Sequence, residues 1–135
     1  MGDAPRKQLK TGVRKGGGRP PGYEWNVKFF DELHSEPKCI TDAQREHLIE
    51  LIRHLAREED PSHPLTVDVR AIDDFHELRD KGGVLGKINV RIYFYIDKPT
   101  RTIVVLGADK KEEDGQTSQA VKIRMRYRLR LYLAR

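Results

Sequence analysis

The sequence predicts an α+β fold: a small antiparallel β-sheet of about four strands, mixed at one edge, packed on one or two helices. A flexible basic arm precedes it. Three observations predict this. Residues 41–59 carry a helix-capping signal followed by apolar residues at helical spacing. Residues 75–106 break into three strand-like segments separated by turn residues. Residues 1–22 are rich in glycine, proline and cations and poor in apolar side chains.

Each element follows in order. Gly16-Gly17-Gly18 and Pro20-Pro21-Gly22, set among basic residues, lack the apolar surface that would offset ordering, so residues 1–22 read as an arm and 23–135 as the domain. In residues 24–30, Trp25, Val27 and Phe29 alternate to one side, the pattern of a first strand. Pro37 blocks a continuous helix from Asp31 onward. Thr41 and Gln44 form a capping box, and Leu48, Leu51, Ile52, Leu55 and Ala56 then form one stripe, which predicts a helix to about Glu59, ahead of Pro61.

Residues 61–74 read as an irregular connector with one alternation, Leu65, Val67 and Val69. Strands are predicted at 75–79, 88–96 and 102–106, separated by a turn at Gly82, Gly83 and Gly86 and another at residues 97–100. Toward the C-terminus, Val121, Ile123, Met125, Tyr127, Leu129 and Leu131 alternate with cations, a period of two that favours a strand. The Arg, Leu, Met and Lys content, the capping Ser118 and the absence of a breaker favour a helix, which is the expectation adopted for 119–133.

The single cysteine, Cys39, excludes an intramolecular disulfide and a cysteine-based zinc cluster and fits a reducing cytoplasm. His47 and His54 share a helix face but have no further ligands at suitable spacing, so neither metal nor cofactor is expected. No apolar run reaches the length of a membrane span and no secretory signal is present, so a cytoplasmic protein without membrane partners is expected.

The net charge of +5 is unevenly spread. Residues 1–22 hold six cations against one acid, and residues 122–135 hold six cations and no acid, which leaves 23–121 at −6. Cationic ends of this kind point to a polyanionic partner.

Side chains alternate across a strand, so residues two apart share a face. Val90, Ile92 and Phe94 form a core face, with Leu78 and His76 on the same side. The opposite face then gathers Glu77, Arg79, Arg91, Tyr93 and Tyr95 on one concave surface, with Lys110 and Lys111 at the end of the following strand. Two arginines can hold a phosphate bidentately and stabilise charge building on it. Tyrosines stack on unpaired bases, and Glu77 is placed to take a proton from a ribose 2′-hydroxyl. The same residues also admit a structural reading. Glu77 and Arg79 would then be an ion pair, Tyr93 and Tyr95 would pack under the arm or the C-terminal segment, and Lys110-Lys111 would be part of a charged turn.

The order of the pieces resembles a known family. A strand, a capped helix, Glu77-Leu78-Arg79, a Gly-rich turn, Arg91 followed by Ile92-Tyr93-Phe94, the apolar run Ile103-Val104-Val105-Leu106, then Lys110-Lys111 and a basic tail end resemble the RelE/ParE toxin superfamily, most nearly its HigB-like, phage-derived branch. The resemblance spans residues 25–133. It implies the toxin of a type II toxin–antitoxin system, with an antitoxin, the ribosome and mRNA as partners. The implied activity is metal-independent mRNA cleavage by 2′-hydroxyl attack on the adjacent phosphate. Arg91, Arg79 and Glu77 would be catalytic, and Tyr93, Tyr95, Lys110 and Lys111 would bind RNA. Many relatives carry a histidine or aromatic residue just before the lysine pair; here the run is Leu106-Gly107-Ala108-Asp109. The alternatives are a non-enzymatic, gyrase-poisoning toxin of the ParE kind and a non-toxic nucleic-acid-binding module.

Overall fold

Thr41 starts the main helix through a reciprocal cap: its hydroxyl accepts from the Gln44 backbone N–H at 3.1 Å, and its own N–H donates to Gln44 Oε1 at 2.8 Å. The helix, α1 (Asp42–Arg57), ends with His54 and Arg57 in its last turn, where cations complement the helix dipole. The carbonyl of Ala56 accepts from the N–H groups of Glu24 and Trp25, which ties the helix end to the start of the first strand.

The computed structural model describes residues 22–30, 41–80, 89–111 and 117–135. Its strands are β1 (Asn26–Phe29), β2 (Asp68–Ile72), β3 (Phe75–Asp80), β4 (Asn89–Asp97) and β5 (Thr102–Lys111), and a second helix, α2 (Gln119–Ala134), follows them. Residues 1–21 of the expected 1–22 arm, Pro37, Cys39 and the expected turn at Gly82, Gly83 and Gly86 lie outside the described residues.

The strands form one mixed sheet in the order β1-β5-β4-β3-β2. β1 pairs parallel with β5, and the other neighbours pair antiparallel. The α+β class and the mixed edge are as expected, but the sheet has five strands instead of about four. The additional strand is β2, inside the segment expected to be an irregular connector. It joins β3 through a tight turn at Asp73, whose φ of 52° is left-handed, a conformation aspartate tolerates better than most residues. An edge strand has one partner and needs little apolar patterning, so its sequence signal is weak. β5 also runs to Lys111, past the expected end at Leu106. The C-terminal segment is a helix, with Ser118 capping the Val121 N–H.

Both faces of the sheet are covered. α1 packs Leu48, Ile52, Leu55 and Ala56 against Trp25, Val27, Leu78, Val90, Ile92, Phe94, Ile103 and Val105. On the other face α2 packs Val121, Met125, Leu129 and Tyr132 against Phe75, Tyr93, Val104 and Leu106. β5 is therefore buried on both sides, which is why Ile103-Val104-Val105-Leu106 is a continuous apolar run and not an alternation.

α2 approaches β5 at a β-bulge. Tyr93 pairs with Gly107 and Phe94 with Val105, leaving Leu106 as the extra residue. Arg128, buried in α2, donates to the Leu106 carbonyl at 2.8 Å. A Cβ on Gly107 would lie 2.5 Å from Arg128 Nη1 and 2.6 Å from Met125 Cε, so the bare glycine backbone leaves room for the ends of these two α2 side chains against β5. Among the described residues, no helix is long and apolar enough to cross a membrane.

Candidate functional site

The register of β3 and β4 sets Glu77 opposite Tyr93 and Arg79 opposite Arg91. Paired residues in an antiparallel ladder share a face, so these four side chains gather on the α2 side of the sheet, as the alternation predicts. Glu77 is at their centre. Its Oε1 accepts from Arg79 Nε at 2.8 Å, and its Oε2 accepts from Arg91 Nη1 at 3.3 Å and from the Thr117 hydroxyl at 2.8 Å. Two guanidinium groups thus share one carboxylate.

The face expected to form a concave surface is covered here by α2 and Thr117. Glu77 and Arg91 are each 1% exposed, and Tyr93 is fully buried. Arg79 stands at the margin, its side chain 11% exposed. The reason is the second hydrophobic cluster: Phe75, Tyr93, Val104 and Leu106 are apolar on this face, and α2 supplies their cover. Of the two structural outcomes open to Tyr93, it is the C-terminal segment that lies over it.

The Tyr93 ring meets Phe75 edge-on, with centroids 6.1 Å apart. Its hydroxyl has no hydrogen bond of acceptable geometry among the described residues, although Thr117 is its polar neighbour. Burial, followed by the negative charge of Glu77, holds the phenol well above its usual pKa. Tyr93 is therefore a neutral hydroxyl beside a charged trio.

Tyr95 shares the face but belongs to a separate contact, packing at 6.3 Å against Tyr132, whose hydroxyl donates to Asp97 Oδ2 at 2.6 Å. Burial and that hydrogen bond push the Tyr132 pKa up to about 12. Lys110 and Lys111 are the last residues of β5, opposite Val90 and Asn89, one and two registers beyond the Arg91–Asp109 pair. The structure thus brings Glu77, Arg79, Arg91 and Tyr93 together, keeps Tyr95 one pair of positions away, and puts the lysine pair at the same end of the sheet as Arg91.

Sequence reasoning missed Thr117, Gly107 and Arg128. Thr117 immediately precedes the helix cap, where hydroxyl residues are common, and its sequence position gives no sign of a bond to Glu77. Gly107 carried a readable signal, since a lone glycine inside a strand marks a bulge or a close approach. Among the described residues no group of three or more His, Cys, Asp or Glu side chains is arranged to hold a metal ion. The comparisons give no relative to read these residues against: no family model matches the chain, and no curated protein and no solved structure matches it significantly.

Proposed function

We propose that this domain is a RelE/ParE-type toxin acting on RNA, most nearly of the HigB-like branch, and that it cleaves mRNA on the ribosome. The observation that carries this reading is the convergence of Arg79, Arg91 and Glu77, with Tyr93 beside them, at one point of the sheet. On this reading a phosphate displaces the Glu77 carboxylate, and the two guanidinium groups then hold the phosphate oxygens. The released Glu77 takes the 2′-hydroxyl proton as that oxygen attacks the adjacent phosphorus, forming the 2′,3′-cyclic phosphate, and the 5′-oxygen of the next nucleotide leaves with the P–O bonding pair and takes a proton from water. Tyr93 stacks on a base, and Tyr95, Lys110 and Lys111 extend the RNA contact. An antitoxin, the ribosome and mRNA are the corresponding partners, and the cytoplasm the corresponding compartment.

Burial adds a condition. RNA reaches the cluster only if the start of α2 lifts and Thr117 releases Glu77. The same burial favours a second reading, a non-catalytic nucleic-acid-binding module in which Glu77 and Arg91 are structural and exposed cations bind phosphates.

Inducing the intact protein and mapping mRNA 5′ ends separates the two readings. The enzyme reading expects growth arrest and new 5′ ends within coding regions, both lost in Arg79→Ala, which keeps the Glu77–Arg91 pair. No new ends, or unchanged cleavage by Arg79→Ala and by a folded Glu77→Met/Arg91→Met variant, would overturn it. DNA breakage without mRNA cleavage would replace it with gyrase poisoning.

A further inference from the structure

The odd-numbered apolar residues of α2 make sense only when placed on a helix. At about 100° per residue, Val121, Met125 and Leu129 form one row, and Ile123, Tyr127 and Leu131 form another on roughly the opposite side. The first row is buried against the sheet, with Tyr132. The second faces away from it: Ile123 is 58% exposed, Tyr127 57% and Leu131 49%. Four of the five strongly exposed large apolar side chains among the described residues are on α2, the fourth being Leu133, so exposure is concentrated on this one element. Among the described residues, a helix patterned for two apolar contacts has one of them filled.

The flanks of the outer row are cationic. Arg124 lies on one side and Arg130 on the other, both exposed, and α2 contains no acidic residue. Arg126 is already paired with Asp73, and Arg128 is buried against β5. Neither Arg124 nor Arg130 makes an ion pair among the described residues.

We infer that the outer row of α2 is a docking surface for an acidic amphipathic helix of a different protein. A row of residues four apart is the ridge that interdigitates in the commonest helix–helix packing, and this one runs about 12 Å, roughly two turns. The row is also narrow, about 80° of the helix circumference, which matches a helix–helix seam better than the broad apolar face with which a helix lies on a lipid surface. Pairing with α2 of a second copy would set Arg124 and Arg130 against their own kind, with no carboxylate on either helix to separate them. Carboxylates flanking the apolar residues of a partner helix would instead meet both arginines while Ile123, Tyr127 and Leu131 lose water. The inference holds whether or not the domain cleaves RNA, so its failure and the failure of the enzyme reading are separate results.

The test uses the full chain and two labelled peptide helices. One carries leucines at every fourth position with glutamates on both flanks, and the other has lysines in place of the glutamates. Fluorescence anisotropy should show the glutamate peptide binding at least about tenfold more tightly, with high salt weakening it. Tyr127→Ser, at an exposed site, should weaken it about tenfold while circular dichroism stays unchanged. Arg124→Glu/Arg130→Glu should reverse the preference in favour of the lysine peptide. Three results would overturn the inference: equal or absent binding of the two peptides, sedimentation showing a dimer that Tyr127→Ser dissociates, or phosphatidylglycerol vesicles binding more tightly than the glutamate peptide.

Discussion

Replacing Arg91 with alanine should cost the fold about 3 kcal/mol, because its partner is a carboxylate with no access to water. Removing one member of a buried pair costs about 3–5 kcal/mol, mostly because the other charge is left behind. Glu77 would keep Arg79 Nε and the Thr117 hydroxyl, which places the effect at the lower end of that range. For a domain of this size, about 3 kcal/mol lowers Tm by about 12 °C. Urea titration followed by circular dichroism measures the cost, and Arg91→Met, which retains most of the stem, separates the charge from the lost packing. The Glu77→Met/Arg91→Met double variant removes both charges, so it should be less destabilised than Arg91→Ala, with a coupling energy of about 2 kcal/mol or more. Arg79, at the margin, can turn its guanidinium to water. A cost below about 1 kcal/mol for Arg91→Ala, or Glu77 and Arg91 effects that simply add, would show that the two charges do not form a water-excluded pair. With a cost of this size, loss of activity in Arg91→Ala cannot by itself identify a catalytic residue.

Two further perturbations probe the layers on either side of the sheet. Gly107→Ala should destabilise by about 1 kcal/mol, seen as a lower urea midpoint, since its methyl group displaces the buried ends of Met125 and Arg128; a neutral or stabilising result would show that these two side-chain ends give way without cost. His76, stacked on Phe94 at 5.5 Å, has its pKa held below the usual 6.5 by burial and then by the nearby charge of His63, partly offset by Asp60. The unfolded chain therefore takes up the proton first as pH falls, so stability is full above pH 6.5 and declines below it toward the lower folded-state pKa. His76→Phe should remove that part of the decline, measured as the difference in urea midpoint above and below pH 6.5, and an unchanged difference would refute the assignment.

What could be read from the sequence was whatever local geometry dictates. Thr41 and Gln44 announced the cap of α1, and the alternation of Val90, Ile92 and Phe94 against Arg91, Tyr93 and Tyr95 assigned the faces of β4 correctly. The same alternation placed Glu77 and Arg79 beside Arg91. What it could not say was what lies over that face, because cover is supplied by a segment remote in sequence. One clue was nevertheless present. Ile103-Val104-Val105-Leu106 has no polar face, and a strand apolar on both sides has to be packed on both sides. That run was incompatible with an open sheet next to Arg91. β2 gave a weaker sign: the alternation of Leu65, Val67 and Val69 runs into Asp68–Ile72, but with Arg70 and Ala71 exposed the edge strand buries too little to carry the pattern through.

The parallel pairing of β1 with β5 bears on the order in which the molecule assembles. Asn26 sits beside Thr102 and Phe29 beside Val105, so β1 closes a loop containing most of the domain. The hairpins β2–β3 and β4–β5 close short loops, at far smaller entropic cost. During synthesis β1 and α1 emerge first but have no strand to join until β5 has left the ribosome, and Trp25 and Val27 stay wet until then. Folding should accordingly begin in the later strands and end with the docking of β1, with changes at Val27 acting on the unfolding rate more than on the folding rate.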